Sequence, residues 1–328
     1  MIQQQLSQTS VGKAFEFACV KSFYENLCVN QHIEIIDSDQ YDTAFRFYKE
    51  LSIQEQEKMD LAADAAVRVI KSLEPQLLYP ERNVPLFLSL QPDSAGQAGD
   101  VRDVLCLRKQ NLWEIGISCK HNHFAVKHSR LSAKIDFGNE WFGIPCSSLY
   151  FQNIEPIFDE LKYFKDASRA SGKPMLWNEI ENKHLRYYIP LLEIFMAELS
   201  LLDANNPGII PERLIKYLVG RQDFYKVISV ERGKYTRVDA INMYGTLNRP
   251  SEGKTSIINV PRLRFPHRFY HIGFSPKSNN TIHIVCDEGW EISMRIHNAS
   301  SRVEPSLKFD VNLISMPNTI CSQISPWG

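Results

Sequence analysis

Residues 102–120, RDVLCLRKQNLWEIGISCK, hold two strand-like runs around a short polar turn, Gln110-Asn111. Few folds accommodate that pattern. Side chains along a strand alternate between faces. In the second run Trp113, Ile115, Ile117 and Cys119 therefore share one face, and Glu114, Gly116, Ser118 and Lys120 share the other. A two-residue turn at Gln110-Asn111 sets Asp103 opposite Ser118, on the face that carries Lys120. Cross-strand neighbours lie within about 5.5 Å. The hairpin predicts an acid and an ammonium group meeting at one end of a sheet whose other face is apolar. A slip of one residue would turn Asp103 away, and Asp100 would not restore the pairing.

Around this hairpin the periodicity changes three times. VGKAFEFACVKSFYENLC, from Val11, has helical spacing, as does Asp39 to Leu77, with a break near Leu51-Ser52 and an end before Pro75. NVPLFLSLQPD reads as a buried strand, SAGQAGD as a loop, and His123 to Ile135 as a helix with Phe124, His128 and Leu131 along one side. IEPIFDELKYF, IPLLEIFMAELSLLDA and PERLIKYLVG read as helices, the last opened by Pro211 after the turn Asn205-Asn206-Pro207-Gly208. After Arg221 come short β-rich runs: FYKVISV, SIINV, FYHIGF, TIHIVC, WEISMRI and LKFDVNL. WEIGISCKHN and WEISMRIHN resemble each other, but without a third copy they read as two similar strands rather than a repeat. The order implies an α/β (α+β) protein with a mixed sheet. Residues 1–150 are expected to form a core, 151–220 a helical segment and 221–328 a β-rich part.

Charge is uneven although the net is −1. Ile115 to Ile135 contains no acid but carries Lys120, Lys127, Arg130 and Lys134, with His121, His123 and His128 beside them. Gly253 to Cys286 again lacks acids and carries Lys254, Arg262, Arg264, Arg268 and Lys277, interleaved with Phe265, Phe269 and Tyr270. Two such blocks suit a phosphate polymer. Solvated faces balanced by acids elsewhere would produce the same pattern. Arg262, Arg264 and Arg268 are candidates for base or backbone contacts, and His123, Lys127 and Arg130 for phosphate contacts or a solvated face.

A carboxylate beside a lysine is what metal-dependent phosphodiester hydrolysis requires. Carboxylates hold a hard cation such as Mg²⁺. A lysine orients the attacking water or neutralises developing charge. Asp103 with Ser118-Cys119-Lys120 resembles the signature of PD-(D/E)xK nucleases, an acid on one strand and acid-x-Lys at the end of the next. Longer blocks, QPDSAGQAGDVRDVL, WEIGISCKHNHFAVKHSRLSAKIDFG, WFGIPCS and FYKVISV, are similar to the HaeIII-type restriction endonucleases, from GKAFEFA near residue 12 to EPSLKFDV near 311.

The resemblance implies a restriction-endonuclease-like mixed sheet flanked by helices, with residues 1–150 as nuclease core and 221–328 as the DNA-recognition part. It also implies cleavage of double-stranded DNA at the palindrome GGCC. A palindrome invites a homodimer, although a monomer acting twice is possible. Ser118 departs from the pattern, since an acid is expected there. Glu16, in a segment resembling the glutamate-bearing first helix of this fold, is the leading replacement, and Asp136 the next. Glu114 shares the face of Lys120 but lies about 20 Å away along the strand. Asp103, Lys120, Glu16 and Ser118 are thus the candidate catalytic set, with Asp103, Glu16 and Asp136 as candidate Mg²⁺ ligands.

Other chemistries lack support. His121-Asn122-His123 spells HNH without the spacing of that nuclease motif. Cys119, His121 and His123 have no fourth zinc ligand near, and Cys119 points away from Lys120. GxGxxG and P-loop patterns are absent, so no nucleotide cofactor is expected, and without a GxSxG pattern a serine hydrolase has no support either. No apolar run reaches the roughly 18–20 residues of a membrane span. Seven scattered cysteines without a CxxC pair, and an N-terminus unlike a secretory signal, point to a cytoplasmic protein. A structure-specific repair or recombination nuclease, and a DNA-binding protein with an inactive nuclease core, are the alternatives to a type II restriction enzyme.

Overall fold

The computed structural model describes residues 6–79, 84–97, 99–122 and 127–328. The chain divides into two compact units, one from residues 1–124, 220–264 and 318–328, the other from 125–219 and 265–317.

The first unit is built on α1 (Gln8–Leu27), β1 (Ile33–Ile35), α2 (Asp39–Glu50), α3 (Ile53–Leu73), α4 (Pro75–Leu78), β2 (Leu86–Leu90), α5 (Asp93–Gln97), β3 (Val104–Arg108) and β4 (Trp113–His121). The expected break between α2 and α3 is a capping box. The Ser52 hydroxyl accepts from Glu55 N, and the Glu55 carboxylate accepts from Ser52 N at 2.9 Å. The segment read as a loop contains the short helix α5.

The second unit begins with β5 (Lys127–Leu131) and continues through α6 (Phe137–Phe142), α7 (Ser148–Ser171), α8 (Ile189–Asn205) and α9 (Ile210–Val219). The chain then returns to the first unit with β6 (Phe224–Val230) and β7 (Tyr235–Ile241). It supplies β8 (Phe269–Ser275), β9 (Ser278–Cys286), β10 (Glu291–Asn298) and β11 (Leu307–Ser315) to the second unit, and ends with β12 (Cys321–Pro326) in the first. The architecture is mixed α/β, with a β-rich C-terminal part, as the sequence implied.

In the first unit seven strands run in the order β1-β2-β3-β4-β6-β7-β12. The β1/β2 and β4/β6 pairs are parallel and the others antiparallel. One face carries Ile115, Ile117, Cys119, Tyr225, Val227, Val238 and Ala240, which join Phe15, Ala18, Cys19, Ala63 and Val67 of α1 and α3 in a single core. α1 is buried over most of its circumference, against α2, α3 and β4.

In the second unit an antiparallel sheet runs β5-β11-β10-β9-β8. Beside it Phe137, Trp141, Phe195 and Phe309 form an aromatic cluster with ring centroids 4.6 Å apart for Phe137–Phe195 and 5.1 Å for Phe195–Phe309. The echoing strands β4 and β10 thus belong to separate sheets.

Two further local expectations fail. His123 to Ile135 was expected to be helical, but its described part holds strand β5, paired with β11. Ser129 and Leu131 are buried while Arg130 is exposed, a two-residue alternation that a sheet partner exploits and helical spacing conceals. SIINV was expected to be a strand and lies outside any ladder. Asparagine side chains satisfy its backbone instead: Asn248 Nδ2 donates to Ile258 O and Asn242 Nδ2 to Val260 O, while Val260 N donates to Asn248 Oδ1. The strands β1, β7 and β12 were not anticipated. β1 has only three residues, and β12 is a polar edge strand.

Candidate active site

The β3–β4 hairpin has the expected register, with Val104 opposite Ile117 and Arg108 opposite Trp113. Its connection is longer than a two-residue turn. Lys109–Asn111 form a 3₁₀ turn, and Leu112 then takes a left-handed conformation with φ 52°. Four residues close the hairpin without altering which pairs face each other.

One step beyond the ladder, Asp103 N donates to Ile117 O at 2.8 Å and Gln91 N donates to Asp103 O at 2.9 Å. Both ends of the Asp103 backbone are therefore fixed. Its Oδ2 accepts from Cys119 N at 2.7 Å, Ser118 Oγ at 3.3 Å and Lys120 Nζ at 3.3 Å. The predicted acid–ammonium meeting is present, and Ser118 is a donor to the acid rather than a ligand beside it.

The approach to Asp103 is clamped. Arg102 Nε and Nη2 hold Asp100 at 2.8 and 2.7 Å, and Arg102 Nη1 holds Glu114 at 2.7 Å. The guanidinium stem runs over Gly116, where a Cβ would lie 1.9 Å from Arg102 Cδ. Glycine at 116 thus admits the arginine that orients the loop before Asp103. Glu114 is taken up in this clamp.

Glu16 projects from α1 and is 7 % exposed. Lys13, one helical turn earlier, reaches it at 3.0 Å and also pairs with Asp93 at 2.6 Å. Burial pushes the Glu16 carboxyl up to about 7, and the negative charge of Asp103 adds to the rise, while Lys13 and Lys120 oppose it. Glu16 therefore lies within electrostatic reach of both Asp103 and Lys120.

No group of three or more His, Cys, Asp or Glu side chains arranged to hold a metal occurs among the described residues. Mg²⁺ characteristically keeps several waters and takes one or two carboxylates together with substrate phosphate oxygens. The Asp103–Glu16 pair fits that donor set. A buried carboxyl crowded by a second negative charge is also one that a cation would hold in its ionised form.

Asp136 lies in the second unit, where it caps α6, its Oδ1 accepting from Asn139 N at 2.9 Å and Cys146 N at 3.0 Å. Cys119 is buried on the apolar face, its thiol pKa raised first by a hydrogen bond with Cys19 and then by burial. His121 Nδ1 meets Ser229 Oγ at 2.8 Å, and burial lowers its pKa.

Among the charged residues of this region that were not singled out from the sequence is Lys226. Lys226 on β6 stands opposite Ser118 on one side and Asp239 of β7 on the other. It is 9 % exposed. Burial pulls its ammonium down to about 8, with Lys120 and Arg237 adding to the fall and Asp239 opposing it. Asp239 Oδ1 also accepts from Arg237 Nε at 2.7 Å and Ser322 Oγ at 2.6 Å. The signal was present in FYKVISV, a lysine inside an otherwise apolar strand.

The candidate DNA contacts are spread over both units. Lys127 Nζ lies 3.6 Å from the Tyr217 ring centroid and donates to Tyr217 O at 2.9 Å. Arg130 is exposed on β5, with Nη1 3.3 Å from Ser306 Oγ. Arg262, Arg264 and Arg268 are exposed. Arg262 runs close over Gly245, where a Cβ would lie 2.5 Å from its Nε. Asp223 shapes that turn by accepting from Met243 N, Tyr244 N and Thr246 N at 2.6–2.9 Å. His123 lies outside the described residues. No helix among the described residues is long and apolar enough to cross a membrane.

Residues 12–317 match the family described as HaeIII restriction endonuclease. The chain is 42% identical, over 316 residues, to a protein of Haemophilus aegyptius named type II restriction enzyme HaeIII, covering 96% of this chain and 97% of that one. No solved structure matches the chain.

Proposed function

We infer, because the chain belongs to the HaeIII restriction endonuclease family, that it is a type II restriction endonuclease hydrolysing phosphodiester bonds of duplex DNA. The substrate site is the palindrome GGCC, cut at its centre, as membership of this family implies. The enzyme acts in the cytoplasm, in keeping with seven free thiols, and needs no nucleotide cofactor. A two-fold palindrome is best served by a homodimer.

The carrying observation is the convergence of Lys120 Nζ, Ser118 Oγ and Cys119 N on Asp103 Oδ2, with Glu16 in electrostatic range. Asp103 and Glu16 would hold Mg²⁺. The bound cation would polarise the scissile phosphodiester and acidify a water. Lys120 orients the attacking water in line with the bond that breaks and neutralises charge building on the phosphate. Ser118 and the Cys119 N–H fix the Asp103 carboxylate, so that little reorganisation accompanies the reaction. Lys13 holds Glu16 in place before substrate arrives. Arg262, Arg264, Arg268, Lys127, Arg130 and His123 carry DNA contacts, and Asp136 is the reserve candidate for metal binding.

Lys120→Ala is expected to abolish cleavage of a GGCC plasmid in Mg²⁺ while leaving specific duplex binding in Ca²⁺ intact. Loss of binding with unchanged turnover would contradict the assigned role. Discrete fragments with a common end sequence distinguish a restriction enzyme from a structure-specific nuclease, which nicks irregular sites. Tight GGCC binding without cleavage in Mg²⁺ or Mn²⁺ would mark an inactive core.

A further inference from the structure

Arg262 is exposed, yet its side chain is held in place. Asn242, just after β7, ties two stretches of chain together. Its carbonyl accepts from Leu263 N at 2.9 Å, and its Nδ2 donates to Val260 O at 2.9 Å. Val260 and Leu263 are buried on either side of Pro261-Arg262. Across from them the turn 243–246 is fixed by Asp223, which is buried. Its two carboxylate oxygens take up the N–H groups of Met243, Tyr244 and Thr246 and the Thr246 hydroxyl. Gly245 in that turn has φ 78°, a conformation glycine adopts without steric cost. The Arg262 guanidinium packs where a side chain at 245 would project. A Cβ there would meet Nε at 2.5 Å, Nη2 at 2.9 Å and Cζ at 3.1 Å.

Among the described residues the Arg262 guanidinium has neither an ion pair nor a hydrogen bond. Holding a long side chain in one place costs rotamer entropy, and an arginine that only solvates a surface gains nothing from it. A planar fork of donors held still suits a planar partner with two acceptors side by side. Guanine presents such a pair, O6 and N7, in the major groove. The position suits that partner too. Phe224 pairs with Gly116 and Ile241, and Lys226 with Ser118 and Asp239, so Asn242 stands three residues along the sheet from the rank of Ser118. Asp103 lies opposite Ser118, three strands across from β7. Spacings of about 3.3 Å per residue and 4.8 Å per strand put the Asn242 and Asp103 backbones roughly 17 Å apart, within one unit of the chain. The reach of an arginine shortens that gap to the distance between a backbone phosphate and base edges two steps away, at about 3.4 Å per step and across a groove about 12 Å wide.

We propose that Arg262 is a specificity-determining residue, which reads one guanine of each strand of the palindrome by donating hydrogen bonds to O6 and N7, and that Gly245 is the positioning residue that presents it. The proposal rests on the reading of the chain as a GGCC endonuclease above. Arg262 takes no part in the hydrolysis. Its fork is formed before DNA arrives, so the correct base is bound without the cost of ordering the side chain. Adenine places an amino donor where guanine has O6, and leaves one N–H of the guanidinium unpaired.

Duplex binding in Ca²⁺, followed by fluorescence anisotropy with 7-deazaguanine at one guanine position at a time, tests this, because that base lacks the N7 acceptor. Wild type should lose on the order of 10-fold in affinity at the position Arg262 reads. Arg262→Ala should lower affinity for a GGCC duplex on the order of 10-fold more than for an unrelated duplex, and the 7-deazaguanine loss should vanish at that one position while any loss at the other guanine remains. Arg262→Lys keeps the charge without the fork, so it should regain affinity for the unrelated duplex and stay below wild type on GGCC. Gly245→Ala should also lose the response at that position, although Arg262 is intact. A glycine needed only for the turn would lower the melting temperature and keep the response. Should Gly245→Ala not fold, the Arg262 variants decide by themselves. If Arg262→Ala weakens both duplexes equally and keeps every 7-deazaguanine loss, Arg262 contacts phosphate and the proposal is overturned. A wild type indifferent to 7-deazaguanine at both positions overturns it as well. The two readings fail differently. If wild type prefers GGCC but the Arg262 variants respond as it does, only the role of Arg262 is lost. If wild type prefers no GGCC duplex, the assigned recognition site is wrong and the proposal falls with it.

Discussion

Alanine in place of a strand glycine ordinarily stabilises by roughly 0.5–1 kcal/mol, because less backbone entropy is lost on folding. At Gly116 the sign should reverse. A Cβ there would lie 1.9 Å from Arg102 Cδ, 2.5 Å from Cγ and 2.9 Å from Cβ. Rotating the far end of the side chain cannot clear contacts that near its root. Forcing atoms into a filled site costs about 1–3 kcal/mol. Displacing Arg102 also weakens its pair with Asp100, which is 20% exposed, and its pair with Glu114, which at 45% exposed adds less than about 1 kcal/mol. Offset by the usual gain from replacing glycine, the net destabilisation should be about 1–3 kcal/mol. Urea unfolding of wild type, Gly116→Ala, Arg102→Ala and the double variant forms a double-mutant cycle. The clash requires Gly116→Ala to cost far less once Arg102 is gone, with a coupling above about 1 kcal/mol. Asp103 adjoins Arg102, so cleavage by the folded Gly116→Ala protein should also fall by on the order of 10–100-fold. Additive effects, or stabilisation by alanine in the wild-type background, would refute the reasoning.

Two further outcomes follow from the same geometry. Glu74 is fully buried, accepting from Tyr225 Oη at 2.6 Å and Asn248 N at 2.7 Å, and burial pushes it from 4.5 up to about 7. Between those values the folded chain keeps a proton that the unfolded chain releases. Stability should therefore fall as pH rises through that window, by about 3 kcal/mol in all. Glu74→Gln should flatten this component in denaturant unfolding at pH 5 and pH 8, and an unchanged slope would count against it. Arg262→Ala should weaken duplex binding and reduce the salt slope of log affinity by about 1, with single-turnover rate at saturating enzyme preserved. Equal affinities for mutant and wild type would remove Arg262 from the DNA surface.

Short-range pattern carried much of this protein. The alternation in 102–120 specifies the hairpin register because each side chain has only two faces to choose from, and one is apolar; Asp103, Ser118 and Lys120 follow without further knowledge. The Ser52–Glu55 box likewise stops one helix and starts another within four residues. What pattern could not reach are the pairings set by distant chain. Whether Lys127–Leu131 coils or extends depends on β11, 176 residues on at Leu131↔Leu307. Whether Ile258 and Val260 join a ladder depends on two asparagine side chains that satisfy the backbone first. Lys226 looks like one misplaced charge in a buried strand until β4 and β7 bring Ser118 and Asp239 to either side of it. Glu16 is a helix residue like others until burial against the sheet brings it within range of Asp103. Local spacing encodes which face a side chain takes, since that is a property of one backbone. Which charges become neighbours is a property of several, and is decided only when their shared apolar face is buried.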